Sequence, residues 1–180
     1  MRGWLVLVWL CLPSVAMAQY PYGYPPPPPY RPWPAPQPRD NAPSGSLSRE
    51  MLNAHNAVRA QVHEPPLSWS PRLAAAAQEW AEHLIATAAF YHRAGDPYGE
   101  NLYTITGGAA SPQQVVDAWA AEAQGYDIGS NTCAGVCGHY TQIVWRTTRY
   151  LGCAVATDPE REVWVCEYDP PGNYVGYRPY

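Results

Sequence analysis

The chain has 180 residues, of which 47% are hydrophobic and 14% are charged, and its formal net charge is −4. This length accommodates one domain of ordinary size. The acidic excess argues against nucleic-acid binding, which usually needs a basic surface. The chain contains no lysine, which excludes a Schiff-base lysine, a phosphate-loop lysine and a lysine-rich membrane patch. Its 21 prolines are too many for one compact domain and predict a non-globular part.

Residues 1–18 have the pattern of a secretory signal peptide. Arg2 provides a basic start, residues 4–12 are apolar, and residues 16–18 form a small-x-small cleavage site. The apolar run is short for a bilayer span, so an uncleaved anchor is the disfavoured alternative, and we expect no transmembrane segment in the mature chain. We therefore expect a secreted, extracellular protein, or one in the periplasm or cell wall if the source is bacterial. Cys11 is expected to be lost with the signal.

Residues 19–45 are rich in proline and tyrosine, with five consecutive prolines at 25–29. Because proline fixes φ and lacks an N–H donor, we expect an extended, disordered linker without a core of its own. The favoured interpretation is a stiff spacer. The alternative is adhesion to a cell wall or polysaccharide through the tyrosine and tryptophan rings.

Residues 46–180 form the predicted globular domain, which begins with a helix over residues 48–62. One face of this helix carries four residues that are separated by four, three and four positions, namely Met51, His55, Val58 and Val62. This position favours a hydrogen-bonded core histidine at His55, and a ligand role is the alternative.

A serine followed by proline predicts the start of two further helices, at Ser70 and Ser111. The buried face of the first consists of Leu73, Ala77, Trp80, Leu84 and Ala88. In the second, Glu122 lies in line with Trp119, and Gly125 is expected to end the helix. A glutamate on an apolar face is costly unless it is paired, so Glu122 is a candidate site residue. The alternative is a side chain at the edge of the face that reaches water.

Near the C-terminus, residues 151–157 and 162–168 alternate with period two and predict an antiparallel hairpin. If this hairpin is symmetric about the turn at residues 158–161, the numbers of each two directly opposed residues sum to 319. Cys153 and Cys166 form such an opposed pair. Directly opposed residues lie within disulfide reach, so we predict a bond between these two cysteines.

The two cysteines that remain in the mature chain, Cys133 and Cys137, are then left to pair with each other. The alternative is a zinc site built from the thiolates and His139. Export to an oxidising compartment disfavours that alternative.

Four motifs occur in order within residues 46–180. They are Gly138-His139-Tyr140-Thr141-Gln142-Ile143-Val144-Trp145-Arg146-Thr147-Thr148, His55-Asn56-Ala57-Val58-Arg59, Gly99-Glu100-Asn101-Leu102, and residues 163–174 with Cys166 and Tyr168. Together they resemble the signatures of the CAP superfamily, which comprises cysteine-rich secretory proteins, insect venom antigen 5 and plant pathogenesis-related group 1 proteins. The pattern is most similar to the plant group. Motif residues with an expected structural role are His55, Asn56, Arg59, Asn101, Tyr140, Gln142 and Trp145.

The resemblance implies an α+β fold, a three-layer α-β-α sandwich with a central antiparallel sheet. It also implies a cleft with two histidines and two glutamates, which correspond here to His92, Glu100, Glu122 and His139. One departure is Glu167, where the family usually has a polar uncharged or a basic residue, and we expect it to leave the cleft unaffected. The tail 170–180 resembles a peptide that plant members can release, but we favour a structural tail that closes over the sheet.

Two imidazoles and two carboxylates in one cleft predict bound protons or a bound cation, because the carboxylates repel each other. We expect zinc or another divalent metal, with His92 and His139 as direct ligands. Glu100 and Glu122 would bind through water or orient the histidines. Calcium is disfavoured, since imidazole is a poor ligand for a hard cation.

We interpret the chain as a secreted binding or defence-type module. One alternative is a zinc-dependent hydrolase or protease using the same cleft, which the lack of an HExxH pattern disfavours. The other is a protein that binds a sterol, another lipid or a glycan through an aromatic surface. The aromatic residues considered for that surface are Trp145, Tyr150, Trp164, Tyr174 and Tyr177.

Overall fold

The computed structural model describes residues 45–180. The predicted signal peptide and residues 19–44 of the predicted linker lie outside the described residues. The helices are α1 (Ser46–Gln61), α2 (Pro71–Ala86), α3 (Pro112–Ala120) and α4 (Gly138–Ile143), with a 3-10 helix at Ala121–Gly125. The strands are β1 (Ser68–Trp69), β2 (Gly99–Thr106), β3 (Tyr126–Asp127), β4 (Thr132–Cys133), β5 (Tyr150–Thr157) and β6 (Arg161–Asp169). None of the helices in this part of the chain is both long and apolar enough to cross a membrane.

The main sheet has four strands in the order β1-β5-β6-β2. Strands β5, β6 and β2 are antiparallel, as expected, whereas the two-residue strand β1 pairs with β5 in parallel. Strands β3 and β4 form a separate small hairpin. Strand β2 is therefore an edge strand of the main sheet.

The β5–β6 hairpin has the predicted register. Cys153 lies opposite Cys166, and the two are joined by a disulfide with Cα atoms 4.1 Å apart. The second disulfide joins Cys133 to Cys137. The structure therefore contains both of the predicted pairings.

Helices cover both faces of the sheet, which gives the expected α-β-α sandwich. One face packs against α2 through a cluster that includes Ala77, Leu84, Leu102, Ala154 and Val165. The other packs against α1, α3 and α4 through Met51, Val115, Ile143, Trp164 and Tyr168, among others. A side chain at Gly152 would overlap the backbone of Leu73 and Ala74, so a glycine is needed where α2 crosses β5 closely.

The helix starts predicted at Ser70 and Ser111 agree with the structure, whereas α1 begins at Ser46, two residues before its predicted start. Ser70 and Ser111 accept hydrogen bonds from the backbone N–H groups of the first turns of α2 and α3. Ala88 was expected on the buried face of α2, but the helix ends at Ala86 and Ala88 is exposed with φ of 51°. Helix α3 ends at Ala120, and the following 3-10 helix carries Glu122. From this position Glu122 accepts hydrogen bonds from the first turn of α4.

Candidate metal-binding cleft

The motif of residues 55–59 anchors α1 to the end of α4 and to the segment that follows it. Arg59 is fully buried and donates hydrogen bonds to the carbonyl oxygens of Pro65, Ile143 and Trp145 at 2.7–2.9 Å. Burial lowers the pKa of its guanidinium to about 10, so it stays charged at neutral pH. Asn56 makes two hydrogen bonds with the backbone of Leu67. These residues fix the scaffold and contact no cleft side chain.

His55 is a core histidine, which agrees with the favoured interpretation of its position. It is fully buried, its Nδ1 lies 2.7 Å from the Met51 carbonyl, and its Nε2 lies 2.8 Å from the Tyr168 hydroxyl. Burial lowers its pKa to about 4, so the ring is neutral at neutral pH. The Tyr168 hydroxyl also accepts a hydrogen bond from Asn101, which donates another to the His139 carbonyl. This network holds the cleft residue His139 in register with the sheet.

The first cleft pair is His139 with Glu122. The Nδ1 atom of His139 lies 2.6 Å from Oε1 of Glu122. The other carboxylate oxygen accepts the backbone N–H groups of His139 and Tyr140, at 3.0 and 3.3 Å. Glu122 thus binds the first turn of α4, where unpaired N–H groups favour a negative charge. The indole of Trp119 stacks on the His139 ring at 6.1 Å between centroids.

The second cleft pair is His92 with Glu100. Nδ1 of His92 lies 2.5 Å from Oε1 of Glu100, and that oxygen also accepts the backbone N–H of Arg93 at 3.2 Å. The hydrogen bond raises the pKa of His92, and partial burial opposes this rise. The His92 side chain is 63% exposed and that of Glu100 is 7% exposed. Oε2 of Glu100 is buried without a hydrogen-bond partner in the described part of the chain.

The two pairs share one arrangement. Each glutamate accepts the Nδ1–H of its histidine, which fixes the tautomer and leaves Nε2 as the ligand atom. Glu100 and Asn101 are consecutive in β2, and Asn101 binds the His139 backbone. Among the described residues, no three of the four cleft side chains have ligand atoms within 4.8 Å of one another. A bound ion would thus have at most two of them as close ligands, with water in other positions.

The expectation that Glu167 leaves the cleft unaffected is wrong. Glu167 lies opposite Glu100 in the β2–β6 register and is fully buried on the α2 side of the sheet, with no hydrogen-bond partner for either oxygen in residues 45–180. Burial, followed by the negative charges of Glu100 and Asp96, raises its pKa to about 9. A neutral carboxylic acid therefore lies behind the His92 pair at neutral pH. The signal in the sequence was the alternation of β6, which places residue 167 on the same buried face as Val165.

One group of potential ligands is not a metal site. His55, Cys153 and Cys166 lie within 4.8 Å of one another, and no other such group of three occurs in the described ranges. Both sulfurs belong to the disulfide, and both ring nitrogens of His55 have hydrogen-bond partners. Since the metal ligand is a thiolate, this group has no free donor for an ion.

The remaining motif residues hold the C-terminal tail, which packs on α4 and not over the sheet as expected. Gln142 accepts the backbone N–H of Gly172 at 2.9 Å. The hydroxyls of Tyr140 and Tyr180 lie 3.1 Å apart. Trp145 is buried beneath the tail, where its ring lies 6.1 Å from that of Tyr174.

The aromatic surface expected for lipid or glycan binding is also different. Trp145 and Trp164 are both 3% exposed and belong to the interior. Tyr150 and Tyr174 are half-buried, and only Tyr177 of the five is exposed. The sequence could not separate core aromatic residues from surface ones, because Trp145, Tyr174 and Tyr177 lie outside the strands and their exposure depends on how the tail packs.

Residues 52–168 match the model of the family described as "CAP: Cysteine-rich secretory protein family". The chain is 44% identical over 133 residues to pathogenesis-related protein 1 of Arabidopsis thaliana, covering 73% of this chain and 81% of that protein. It is 46% identical over 138 residues to the basic form of pathogenesis-related protein 1 of Nicotiana tabacum, covering 73% and 75%. The solved structure of venom allergen-like protein 4 of Schistosoma mansoni is 26% identical with a TM-score of 0.63, covering 76% of this chain and 94% of that one. With its motifs on one scaffold and these matches along its length, the chain belongs to the cysteine-rich secretory protein (CAP) family.

Proposed function

We propose that the chain is an extracellular, defence-type CAP protein whose cleft binds one divalent metal ion, with zinc as the best fit. The observation that carries the proposal is the pairing of each imidazole with a glutamate through Nδ1. This pairing leaves the Nε2 atoms of His92 and His139 as the ring nitrogens available to a metal ion, which binds their unprotonated form. Imidazole nitrogen is a preferred zinc ligand, and a carboxylate that fixes the ring strengthens such a site.

The geometry favours binding over hydrolysis. Zinc would supply a polarised bound water to such a site. A hydrolase also needs a glutamate that is free to take a proton. Glu122 uses both oxygens for hydrogen bonds to α4 and His139, and the free oxygen of Glu100 is buried. We therefore propose that these carboxylates orient the histidines, and that the protein acts by binding.

The metal proposal is tested by zinc calorimetry on the full exported chain and three variants. Saturable one-to-one binding is expected in the wild type and in the control His83→Ala, which removes an exposed histidine outside the cleft. His92→Ala and His139→Ala are each expected to weaken binding by at least about 100-fold. Absence of binding in the folded wild type, or unchanged binding in either cleft variant, would contradict the proposal.

The defence role is supported by the similarity to pathogenesis-related proteins, and the extracellular location by the two disulfides, which are typical of oxidising compartments. Loss of the gene in the source organism is expected to increase susceptibility to microbial challenge, and re-expression of the wild type is expected to restore resistance. Unchanged susceptibility would contradict this role, whatever the result of the metal experiment.

A further inference from the structure

A groove of about 490 Å³ lies between the 126–138 region and the C-terminal tail, and none of the four histidine and glutamate side chains of the two pairs lines it. Its walls carry Tyr126, Trp145, Tyr174, Tyr177 and Pro179. None of the residues that line it is charged. We call it the aromatic groove.

Exposed apolar side chains concentrate at the aromatic groove. Within residues 45–180, six large hydrophobic residues are exposed, and three of them are Val136, Val175 and Tyr177. Val136 and Tyr177 line the groove with exposed fractions of 67% and 42%, and Val175 lies between two lining residues with an exposed fraction of 97%. Clustered apolar exposure of this kind is typical of an interaction site.

The walls of the aromatic groove are built before any ligand binds. The Cys133–Cys137 disulfide closes one wall. The tail that forms the other wall is held by a 2.6 Å hydrogen bond from the Arg146 N–H to the Pro179 carbonyl and a 2.9 Å hydrogen bond from Arg178 to the Gly129 carbonyl. A preformed groove loses little entropy on binding.

The chain itself carries a segment whose chemistry fits this groove. Residues 20–34 contain eight prolines, four tyrosines and one tryptophan, with Arg31 as the only charged residue. Aromatic-lined grooves recognise proline-rich segments because prolines are pre-ordered in an extended form and pack flat against the rings. An uncharged groove and a nearly uncharged segment also avoid the cost of burying charge.

The connection is long enough for this segment to reach the groove. The 11 residues 35–45 that join it to α1 span up to about 36 Å when extended. A domain of this size has a radius of gyration of about 14 Å, and so a diameter of about 36 Å if it is treated as a sphere, which the extended connection just spans. The short connection also gives an effective concentration in the millimolar range, so an intrinsically weak contact is populated.

We propose that residues 20–34 of this chain dock in the aromatic groove of the same molecule. The segment would then cover the exposed Val136 and Tyr177 side chains. The inference is independent of metal binding, because the groove contains none of the four cleft side chains.

Hydrogen exchange read by mass spectrometry tests the proposal on the full exported chain without metal. The reporters are backbone amides of residues 131–138 and 173–178. Replacing the five aromatic residues of 20–34 with serine, or making Tyr177→Ser, is expected to speed their exchange about tenfold. The matched control Phe90→Ser, at an exposed aromatic residue outside the groove, is expected to leave them unchanged.

A synthetic peptide of residues 20–34 is expected to restore protection to the serine-substituted chain and not to the Tyr177→Ser chain. Equal exchange in the wild type and the serine-substituted chain would overturn the proposal, even if the peptide binds when added separately. Protection that disappears on dilution would also overturn it, since the occupant would then be the segment of a second copy.

Discussion

The two histidine–glutamate pairs of the cleft have the same chemistry and different surroundings. His139 is 27% exposed and lies on α4, where both oxygens of Glu122 have hydrogen-bond donors. His92 is 63% exposed and lies in a segment between α2 and β2. Its partner Glu100 has one buried oxygen without a donor and faces the buried Glu167.

The Glu122–His139 pair is thus built into the fold, whereas the Glu100–His92 pair is held by fewer contacts. Glu122 is part of the fold, because it binds the start of a helix as well as the imidazole. Glu100 has one buried oxygen without a donor among the described residues, and its other oxygen bonds only His92 and the backbone N–H of Arg93 in the same segment. We infer that His139 is the pre-ordered ligand and that His92 completes the site.

The largest expected effect is on stability. Glu122→Ala is expected to lower the free energy of unfolding by about 2–3 kcal/mol, because two backbone N–H groups and an imidazole lose a charged acceptor. Glu100→Ala is expected to change it by less than about 1 kcal/mol, since the His92 ring is 63% exposed and water can replace its hydrogen bond. Urea unfolding of both variants measures the difference. Equal losses would contradict the distinction between the two pairs.

An intermediate effect is expected from Glu167→Gln and depends on pH. The raised pKa of Glu167, about 9, means that the folded protein holds a proton which the unfolded chain releases above its ordinary pKa of 4.5. The wild type therefore loses stability through this group as the pH rises from about 4.5 to 9. Glu167→Gln removes this loss and is expected to be more stable than the wild type at pH 8.5, by on the order of 1–2 kcal/mol, and similar near pH 5.

The control for this pH effect is Glu160→Gln, which changes an exposed glutamate in the β5–β6 turn. It is expected to follow the wild type across the same pH range. A Glu167→Gln curve that runs parallel to the wild-type curve from pH 5 to 8.5 would show that Glu167 is ionised in the folded protein.

The smallest expected effect is on the titration of His92. Its hydrogen bond to Glu100 raises its pKa, so Glu100→Gln is expected to shift the midpoint to lower pH. The pKa of His55, lowered to about 4 by burial, is expected to stay unchanged and serves as an internal control. Imidazole resonances followed by NMR measure both. A His92 midpoint that does not move would contradict the role assigned to Glu100.

The sequence predicts the fold well where one pattern determines one contact. The alternation of two strands predicted the Cys153–Cys166 pairing, and the spacing from Trp119 in the predicted helix singled out Glu122. The four cleft residues came mainly from the resemblance, since His92 and Glu100 lie apart from any periodic pattern.

Other features depend on three-dimensional neighbours that no local pattern contains. In the sequence, Glu167 is one more residue of a predicted strand. Its raised pKa comes from its burial and from Glu100 on the neighbouring strand. The packing of the tail on α4 depends on long-range hydrogen bonds, such as that between Gln142 and Gly172. The exposure of aromatic residues is determined by packing and not by alternation.

The most direct test of the central claim is zinc-edge X-ray absorption on the full chain loaded with one equivalent of zinc. The account predicts two imidazole ligands in the wild type and one in both His92→Ala and His139→Ala at zinc concentrations that still saturate them. Fewer than two imidazoles in the wild type, or two in either variant, would contradict the assignment of His92 and His139 as the ligands.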